Sequence, residues 1–93
     1  MNIVHKELNS KGFFIAQENG ETVGEMTYSK AGDTKIIIDH TDISDQKRGS
    51  GLGKDLVFAA VEYAREKNIK ILPLCPFAAS VFNKHKEIRD VVV

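Results

Sequence analysis

Apolar and polar residues alternate through the first half of the chain, which is the period of half-buried β-strands. The pattern predicts four strands over about residues 2–8, 12–18, 22–29 and 34–41. Asn19-Gly20 separates the second strand from the third and favours a tight hairpin, because both residues tolerate positive φ. Along the fourth strand, strict alternation places His40 on the face of Ile38 and Thr41 on the other face. We therefore expect a four-stranded antiparallel meander.

The apolar period changes to that of an amphipathic helix after Ser50. The apolar stripe of this helix contains Leu52, Leu56, Ala59, Ala60 and Tyr63. The helix is predicted to end near Asn68, and residues 69–74 then have the composition of a short strand. A strand–helix–strand crossover is right-handed and joins parallel strands, so residues 69–74 should pair in parallel with residues 34–41.

A second helix is predicted over about residues 76–86, with Pro76 in its first turn, where a missing N–H leaves no hydrogen bond unmade. Residues 88–93 are expected to add a short strand or to pack without regular structure. The order ββββ-α-β-α predicts an α+β fold with helices packed on one mixed sheet. Open sheets usually bind ligands beyond the carboxyl ends of their parallel strands, which here is the end of the strand over residues 34–41.

The turn that follows this strand, Gln46–Lys54, has the composition of an anion-binding site. Its nine residues include three glycines and three cations, and none is acidic. The first N–H groups of a helix are unpaired and lie at the positive end of its dipole, and glycine lets the backbone approach a phosphate closely. We expect a phosphate-bearing ligand here, beside Lys47, Arg48 and Lys54, although the same cations would also suit a solvated turn.

Composition and charge narrow the classes of function. The chain of 93 residues is long enough for one domain, and its 13 cations balance 13 acidic residues, so no net field favours nucleic acid or an anionic membrane. One cysteine excludes an internal disulfide, and no apolar run reaches the length of about 20 residues that spans a membrane. Residues 1–11 lack the apolar core of a signal peptide, so we expect a cytoplasmic protein.

The glycine turn resembles a known motif. Gln46-x-x-Gly49-x-Gly51 after a strand, followed by Leu52-Gly53 and a helix, is similar to the acetyl-CoA pyrophosphate loop of the GNAT N-acetyltransferase superfamily. The resemblance implies that the pyrophosphate of acetyl-CoA binds the backbone amides of the turn.

Two further segments are similar to a short, single-domain subfamily of GNAT-like acetyl-CoA-binding proteins. They are IDHT at residues 38–41 and LCPFAASVFNKH at residues 74–85, and the resemblance extends over roughly residues 10–90. It implies a single acetyl-CoA-binding domain over residues 1–93. The implied fold is a minimal GNAT-like fold with a V-shaped split between the fourth and fifth strands.

The resemblance also implies which residues contact acetyl-CoA. The expected cofactor-binding residues are Ile38, Thr41, Gln46, Lys47, Arg48, Gly49, Ser50, Gly51, Leu52, Gly53, Lys54, Asn83 and Lys84. The strand edge over residues 38–41 would pair with the pantetheine arm of the cofactor. The resemblance places contacts to the CoA arm at Asn83 and Lys84 in the second helix, although these two residues could equally have no role.

The chain departs from larger GNAT enzymes at two places. Those enzymes have helices between their first two strands that help to build the acceptor site, whereas residues 9–12 leave room only for a turn. Many also use a tyrosine in the helix after the fifth strand as general acid, and FAASVFNKH contains none. We therefore expect a small or open acceptor site and no tyrosine acid.

Cys75 and His40 are the candidate catalytic residues. Cys75 precedes the second helix, whose dipole would stabilise a thiolate, so it could accept the acetyl group or protonate the departing CoA thiolate. It could equally be a small buried hydrophobe. His40 could act as a base toward Cys75 or an incoming amine, or be an exposed residue without a role. His5 and His85 read as surface residues, and the histidines and the cysteine show no zinc-ligand spacing.

Two hypotheses about function follow. The first is an N-acetyltransferase that passes acetyl from acetyl-CoA to an unidentified amine of a small molecule or protein, with or without an acetyl-cysteine intermediate. The second is a module that binds acetyl-CoA without turnover, as a sensor or carrier. A nucleotide ligand is a weaker alternative, because the turn matches neither G-x-x-x-x-G-K-[ST] nor G-x-G-x-x-G. The oligomeric state is left open.

Overall fold

A computed structural model describes residues 2–93 and contains one five-stranded sheet. Its strands, in chain order and in order across the sheet, are β1 Asn2–Leu8, β2 Lys11–Glu18, β3 Glu21–Ala31, β4 Lys35–Ile43 and β5 Lys70–Pro73. The first four pair antiparallel, and β5 pairs in parallel with β4. The predicted α+β fold, with its meander and its crossover to a parallel fifth strand, is confirmed.

Two α-helices and two short 3-10 helices complete the described part of the chain. They are α1 Leu52–Lys67, α2 Pro76–Lys84, and the 3-10 helices Asp45–Lys47 and Lys86–Val91. The chain end was predicted as a strand or an irregular segment, and it forms instead the second 3-10 helix. Only Val92 then bridges in parallel to Ile71 of β5. No helix within residues 2–93 is long and apolar enough to cross a membrane.

Both helices cover the same face of the sheet. The sheet residues buried beneath them include Phe14, Ala16, Met26, Tyr28, Ile36, Ile38 and Ile71, and the buried helix residues include Leu56, Ala60, Ala64, Ala78, Val81 and Phe82. These side chains form a single apolar core, whose burial is the main favourable term in folding. Because neither α1 nor α2 covers the opposite face, that face of β4 is open to solvent at His40, an exposed residue.

A β-bulge in β4 reverses the predicted faces of His40 and Thr41. Tyr28 of β3 lies opposite Ile38, but its neighbour Thr27 lies opposite His40, so Asp39 is an extra residue. Residues opposite each other in an antiparallel pair share a face, and Thr27 and Tyr28 point to opposite faces. The prediction that His40 shares the face of Ile38 is therefore wrong.

The same bulge brings Thr41 onto the helix-covered face. Thr41 lies opposite Met26, which is buried in the core, whereas strict alternation had placed Thr41 on the open face. The alternation rule fails here because one inserted residue shifts every later side chain to the other face. Thr41 is thus available to a ligand on the helix side, and His40 is not.

The split between β4 and β5 opens just beyond Ile38. The parallel register ends at Ile38 opposite Pro73, and the Ile38 carbonyl then accepts hydrogen bonds from the N–H groups of Leu74 (3.1 Å) and Cys75 (3.0 Å). Beyond this point residues 39–43 of β4 pair only with β3. The bulge and the early end of β5 together leave the far half of β4 with a free edge, as the predicted V-shaped split requires.

Asp39 holds the bulge in place and predicts a pH dependence of stability. Its carboxylate accepts hydrogen bonds from Thr27 Oγ1 (2.5 Å) and Ser29 Oγ (2.9 Å) and faces Lys11 Nζ at 3.4 Å. Burial raises the pKa of Asp39, but these hydroxyl and ammonium donors outweigh it and hold the pKa below its usual 3.8.

A depressed carboxyl pKa stabilises the folded state above the unfolded pKa, and this contribution is lost as the pH falls through the folded pKa. We therefore expect the free energy of unfolding to decline below about pH 4. Asp39→Asn should cost about 1 kcal/mol at pH 7 and flatten this decline in urea denaturation. Asp33→Asn, in the exposed turn after β3, should change neither the free energy of unfolding at pH 7 nor its decline at low pH. An equal effect of the two substitutions would contradict the stabilising role of the Asp39 carboxylate.

Candidate functional site

A cavity of about 460 Å³ lies where β4, the glycine turn, α1 and α2 meet. Its walls are residues Thr41, Asp42 and Ile43 of β4, Lys47, Arg48, Gly49 and Gly51 of the turn, Leu52, Gly53 and Lys54 of α1, and Phe77, Ser80, Val81, Lys84 and His85 from α2 and its end. It borders the free edge of β4, so a ligand in the cavity can extend into the split.

The glycine turn presents unpaired amides to this cavity. Gly49 and Gly51 have φ of 80° and 89°, in the left-handed region that favours glycine. Gly51 is the N-cap of α1 and supplies no side-chain hydrogen bond, and the first bond of the helix runs from Asp55 N to Gly51 O at 3.0 Å. The amides of the first turn of α1 therefore have no acceptor within the helix, and this geometry suits an anion.

Two of the three cations in the turn already have carboxylate partners. Lys47 Nζ lies 2.6 Å from Glu18 Oε1, and Arg48 Nε lies 3.3 Å from Asp45 Oδ1. Hydrogen bonding from Lys47 lowers the pKa of Glu18, which keeps this partner ionised. An anion at the turn can therefore reach the unpaired backbone amides at the start of α1 without displacing a carboxylate, as it would have to at Lys47 or Arg48.

The structure separates the remaining predicted cofactor residues into two groups. Gln46, Ser50 and Asn83 do not line the cavity, and Ser50 Oγ instead donates to Lys47 O at 2.6 Å, which closes the turn. Ile38 is fully buried and its carbonyl is occupied, so the free edge of β4 begins beyond it. The others, from Thr41 to Lys84, line the cavity.

Phe77 and His85 line the cavity although the sequence did not single them out as contacts. Phe77 is 40 % exposed, and its ring lies against Gly53, where a Cβ would overlap it. Phe77, Ser80 and Lys84 recur at helical spacing, so one face of α2 points into the cavity. This spacing could have identified Phe77, whereas the position of His85 depends on its edge contact with the Phe58 ring, at 5.4 Å between centroids.

Cys75 and His40 are not brought together. Cys75 is buried at the start of α2, and its Sγ donates a hydrogen bond to Thr41 Oγ1 at 3.4 Å, on the helix-covered side of β4. His40 is exposed on the other face. The cysteine therefore adjoins the cavity through Thr41, and His40 is accessible only from the opposite side of the sheet.

Neither tyrosine replaces the general acid that α2 lacks. Tyr28 is fully buried and its hydroxyl lies 2.6 Å from His5 Nε2, while Tyr63 donates to Glu7 Oε1 at 2.9 Å. Burial is the main reason that the pKa of Tyr28 is raised, and the interactions with Tyr63 and Glu7 raise this pKa further. Both rings belong to a cluster between β1 and α1, and neither lines the cavity.

The chain and its fold have counterparts among known proteins. The family model described as GCN5-related N-acetyl-transferase matches residues 12–91. A GCN5-like protein of Staphylococcus aureus, solved by NMR, is 38 % identical, with a TM-score of 0.72, over 99 % of this chain and 89 % of that one. No curated protein sequence matches the chain.

Two more distant structures share the fold, and each was solved with a cofactor bound. One is a GNAT family acetyltransferase of Elizabethkingia anophelis with acetyl-CoA bound (18 % identity, TM-score 0.63, 70 % of this chain and 43 % of that one). The other is an aminoglycoside 6′-N-acetyltransferase complexed with coenzyme A (17 % identity, TM-score 0.62, 69 % of this chain and 37 % of that one). The chain thus spans less than half the length of either enzyme. The match of the family model over most of its length shows that this chain belongs to the GCN5-related N-acetyltransferase family.

Proposed function

We propose that this protein binds acetyl-CoA in the cavity and transfers its acetyl group to an amine. The observation that carries the proposal is the junction of three features at one cavity: unpaired amides at the start of α1, a free edge of β4, and Cys75, which adjoins the cavity through Thr41. The first suits a pyrophosphate, the second an amide-containing arm, and the third a thioester. The family, and the relatives solved with acetyl-CoA or coenzyme A, support this reading.

The cofactor would follow the cavity from the turn to the split. Its pyrophosphate would accept hydrogen bonds from the amides of Gly49 and of residues 51–54, because the Ser50 N–H already donates to Lys47 O at 3.1 Å. Its pantetheine amides would pair with the free edge of β4 over residues 39–43, as an added strand does. The thioester would then reach Thr41 and Cys75, where the parallel strands separate.

Two routes of transfer are compatible with this placement. In the direct route, the amine attacks the thioester carbonyl, the C–S bond to CoA breaks, and the departing thiolate takes a proton from the Cys75 thiol. In the covalent route, the Cys75 sulfur attacks the thioester carbonyl as its thiol proton passes to the departing CoA sulfur, and the C–S bond to CoA breaks. The amine then attacks the acetyl-cysteine, the C–S bond to Cys75 breaks, and the proton of the amine returns to the Cys75 sulfur. His40, on the open face, would take the proton of an amine that arrives from that side.

A module that binds acetyl-CoA without turnover is the second candidate. It is favoured by the absence of tyrosine from α2 (Pro76–Lys84) and by the burial of Cys75, which is 7 % exposed. A sensor needs only the turn and the split, whereas an enzyme also needs an acid and an acceptor site.

An amide NMR titration with acetyl-CoA, followed by intact mass on the same sample, tests these proposals. We expect shifts centred on residues 46–54 and Thr41, and an added acetyl mass that Cys75→Ala removes. His40→Ala should slow transfer to a panel of amines while leaving acetylation of Cys75 unchanged, because the two residues lie on opposite sides of β4.

Each outcome decides between the candidates. Binding and turnover without acetylation of Cys75 would favour direct transfer, and binding without turnover would favour the sensor. If no amide shifts at millimolar acetyl-CoA, the proposed cofactor is wrong. If Cys75→Ala gains the same acetyl mass as the parent protein, Cys75 is not the acetylated residue and the covalent route is excluded.

A further inference from the structure

We propose that Lys54 and Lys84 form a second anion site in the cavity that binds the 3′-phosphate of CoA and selects against its 3′-dephospho form. This inference rests on the proposed function, because it assigns one more group of the same ligand. It concerns the end of the cavity between α1 and α2, away from the split.

The first observation is the distribution of carboxylates around the cavity. Of its four lysine and arginine side chains, Lys47 and Arg48 are paired with Glu18 and Asp45, as described above. Among residues 2–93, neither Lys54 nor Lys84 has a carboxylate within salt-bridge distance. The cavity lysines without a carboxylate partner are therefore Lys54 of α1 and Lys84 of α2.

The second observation is the contact of Lys54 with an aromatic ring beside the cavity. Lys54 Nζ lies over the Phe58 ring, 5.6 Å from its centroid, and the His85 ring contacts the same ring edge-on at 5.4 Å. Lys84 and His85 line the same cavity as Lys54, so both lysines border one volume. A cation placed over a ring is attracted to it, and this restricts the long lysine side chain before any ligand binds.

The chemistry of CoA explains why two separate anion sites are needed. Its pyrophosphate and its 3′-phosphate are attached to the 5′ and 3′ carbons of one ribose, so the second anion must lie within one ribose of the first. Lys54 is in the first turn of α1 and lines the same cavity as Gly49 and Gly51 of the turn, so a group one ribose away from a pyrophosphate at the turn can approach it. A phosphomonoester is close to a dianion at pH 7, and two ammonium groups neutralise it.

The acidic residues near this end leave the site positive. Asp55 follows Lys54 in the chain but does not line the cavity, and Glu87 lies 3.5 Å from His85 Nδ1 with its side chain 66 % exposed. Among residues 2–93, Asp42 of β4 is the one carboxylate residue in the wall of the cavity, and it is exposed. A 3′-phosphate beside Lys54 and Lys84 therefore meets no buried like charge.

Calorimetric titration of the full chain with acetyl-CoA and acetyl-3′-dephospho-CoA tests the proposal. The parent should bind acetyl-CoA about tenfold more tightly, a ratio that decreases with salt. In the double variant Lys54→Gln/Lys84→Gln, the ratio of the affinity for acetyl-CoA to that for acetyl-3′-dephospho-CoA should fall to about one, because only the affinity for acetyl-CoA decreases. The matched control is Lys6→Gln/Lys67→Gln, which removes the same charge from exposed positions outside the cavity and should keep the parent ratio.

Either of two results overturns the proposal. The parent protein could bind acetyl-CoA and acetyl-3′-dephospho-CoA with equal affinity, or the double variant Lys54→Gln/Lys84→Gln could lose the same affinity for both ligands. Equal losses would mean that the two lysines contact the pyrophosphate. If acetyl-CoA does not bind at all, the proposed function fails, and NMR titration with adenosine 3′,5′-bisphosphate and adenosine 5′-monophosphate decides this site separately. Larger shifts at Lys54 and Lys84 with the bisphosphate would support it, and equal shifts would reject it.

Discussion

Gly51→Ala is expected to reduce the affinity for acetyl-CoA by about a hundredfold, which corresponds to about 2.7 kcal/mol. Gly49→Ala should act in the same direction. In the free protein a Cβ at either position meets no atom within 4 Å, so the substitutions create no internal clash. The added methyl group would instead occupy the space that phosphate oxygens need in order to reach the amides at the start of α1.

Backbone strain must be separated from this effect, because both glycines have positive φ. A side chain in the left-handed region costs about 1–2 kcal/mol of stability. Gly20→Ala and Gly32→Ala provide matched controls, since these glycines have φ of 80° and 69° and also meet no atom within 4 Å. All four variants should lose similar thermal stability, whereas only the two in the turn should lose affinity in calorimetric titration. Unchanged affinity in Gly51→Ala would exclude the turn as the pyrophosphate site.

Gly12→Ala is expected to have the largest effect on folding, with a loss of about 3 kcal/mol or more. A Cβ at Gly12 would overlap the ring of Tyr28, which is fully buried. The ring cannot move aside easily, because its hydroxyl lies 2.6 Å from His5 and donates to Glu7 at 3.3 Å. Typical domains are stable by about 5–15 kcal/mol, so this one substitution removes a large share of the total.

Urea denaturation of Gly12→Ala measures this loss directly. Gly24→Ala is the control on the helix-covered face, because its Cβ would meet only side-chain methyl groups, at 3.0 Å (Leu52), 3.1 Å (Ile43) and 3.4 Å (Leu56), and shifts of a few tenths of an ångström relieve these contacts. Tyr28→Leu in the Gly12→Ala background should recover part of the stability by removing the ring. A midpoint for Gly12→Ala equal to that of the parent would show that β2 and β3 adjust more freely than the packing suggests.

Local periodicity carried most of the fold prediction. The strand and helix limits agree with the structure to within a few residues, because the alternation of a strand and the stripe of a helix are properties of near neighbours in the chain. The turn was also recognisable from the sequence, since its glycines and the start of α1 are contiguous. The chain end was missed because its 3-10 helix depends on packing against the core, where Ile88 and Val91 are buried.

The site was predicted less completely, because its side chains depend on distant partners. The bulge at Asp39 exists only through the register of β4 on β3, and it placed His40 on the open face and Thr41 beside Cys75. The partner that neutralises Lys47 is Glu18, which lies on another strand and could not be identified from local sequence.

The sequence alone determined the order of elements and the position of the glycine turn at the start of α1. It could do so because backbone hydrogen bonding and apolar periodicity act over a few residues. Only the tertiary structure decided which side chains share the cavity, which cations in it remain unpaired, and on which side of the sheet the cysteine and the histidine lie. These depend on strand register and helix packing, which bring together residues that no local pattern relates.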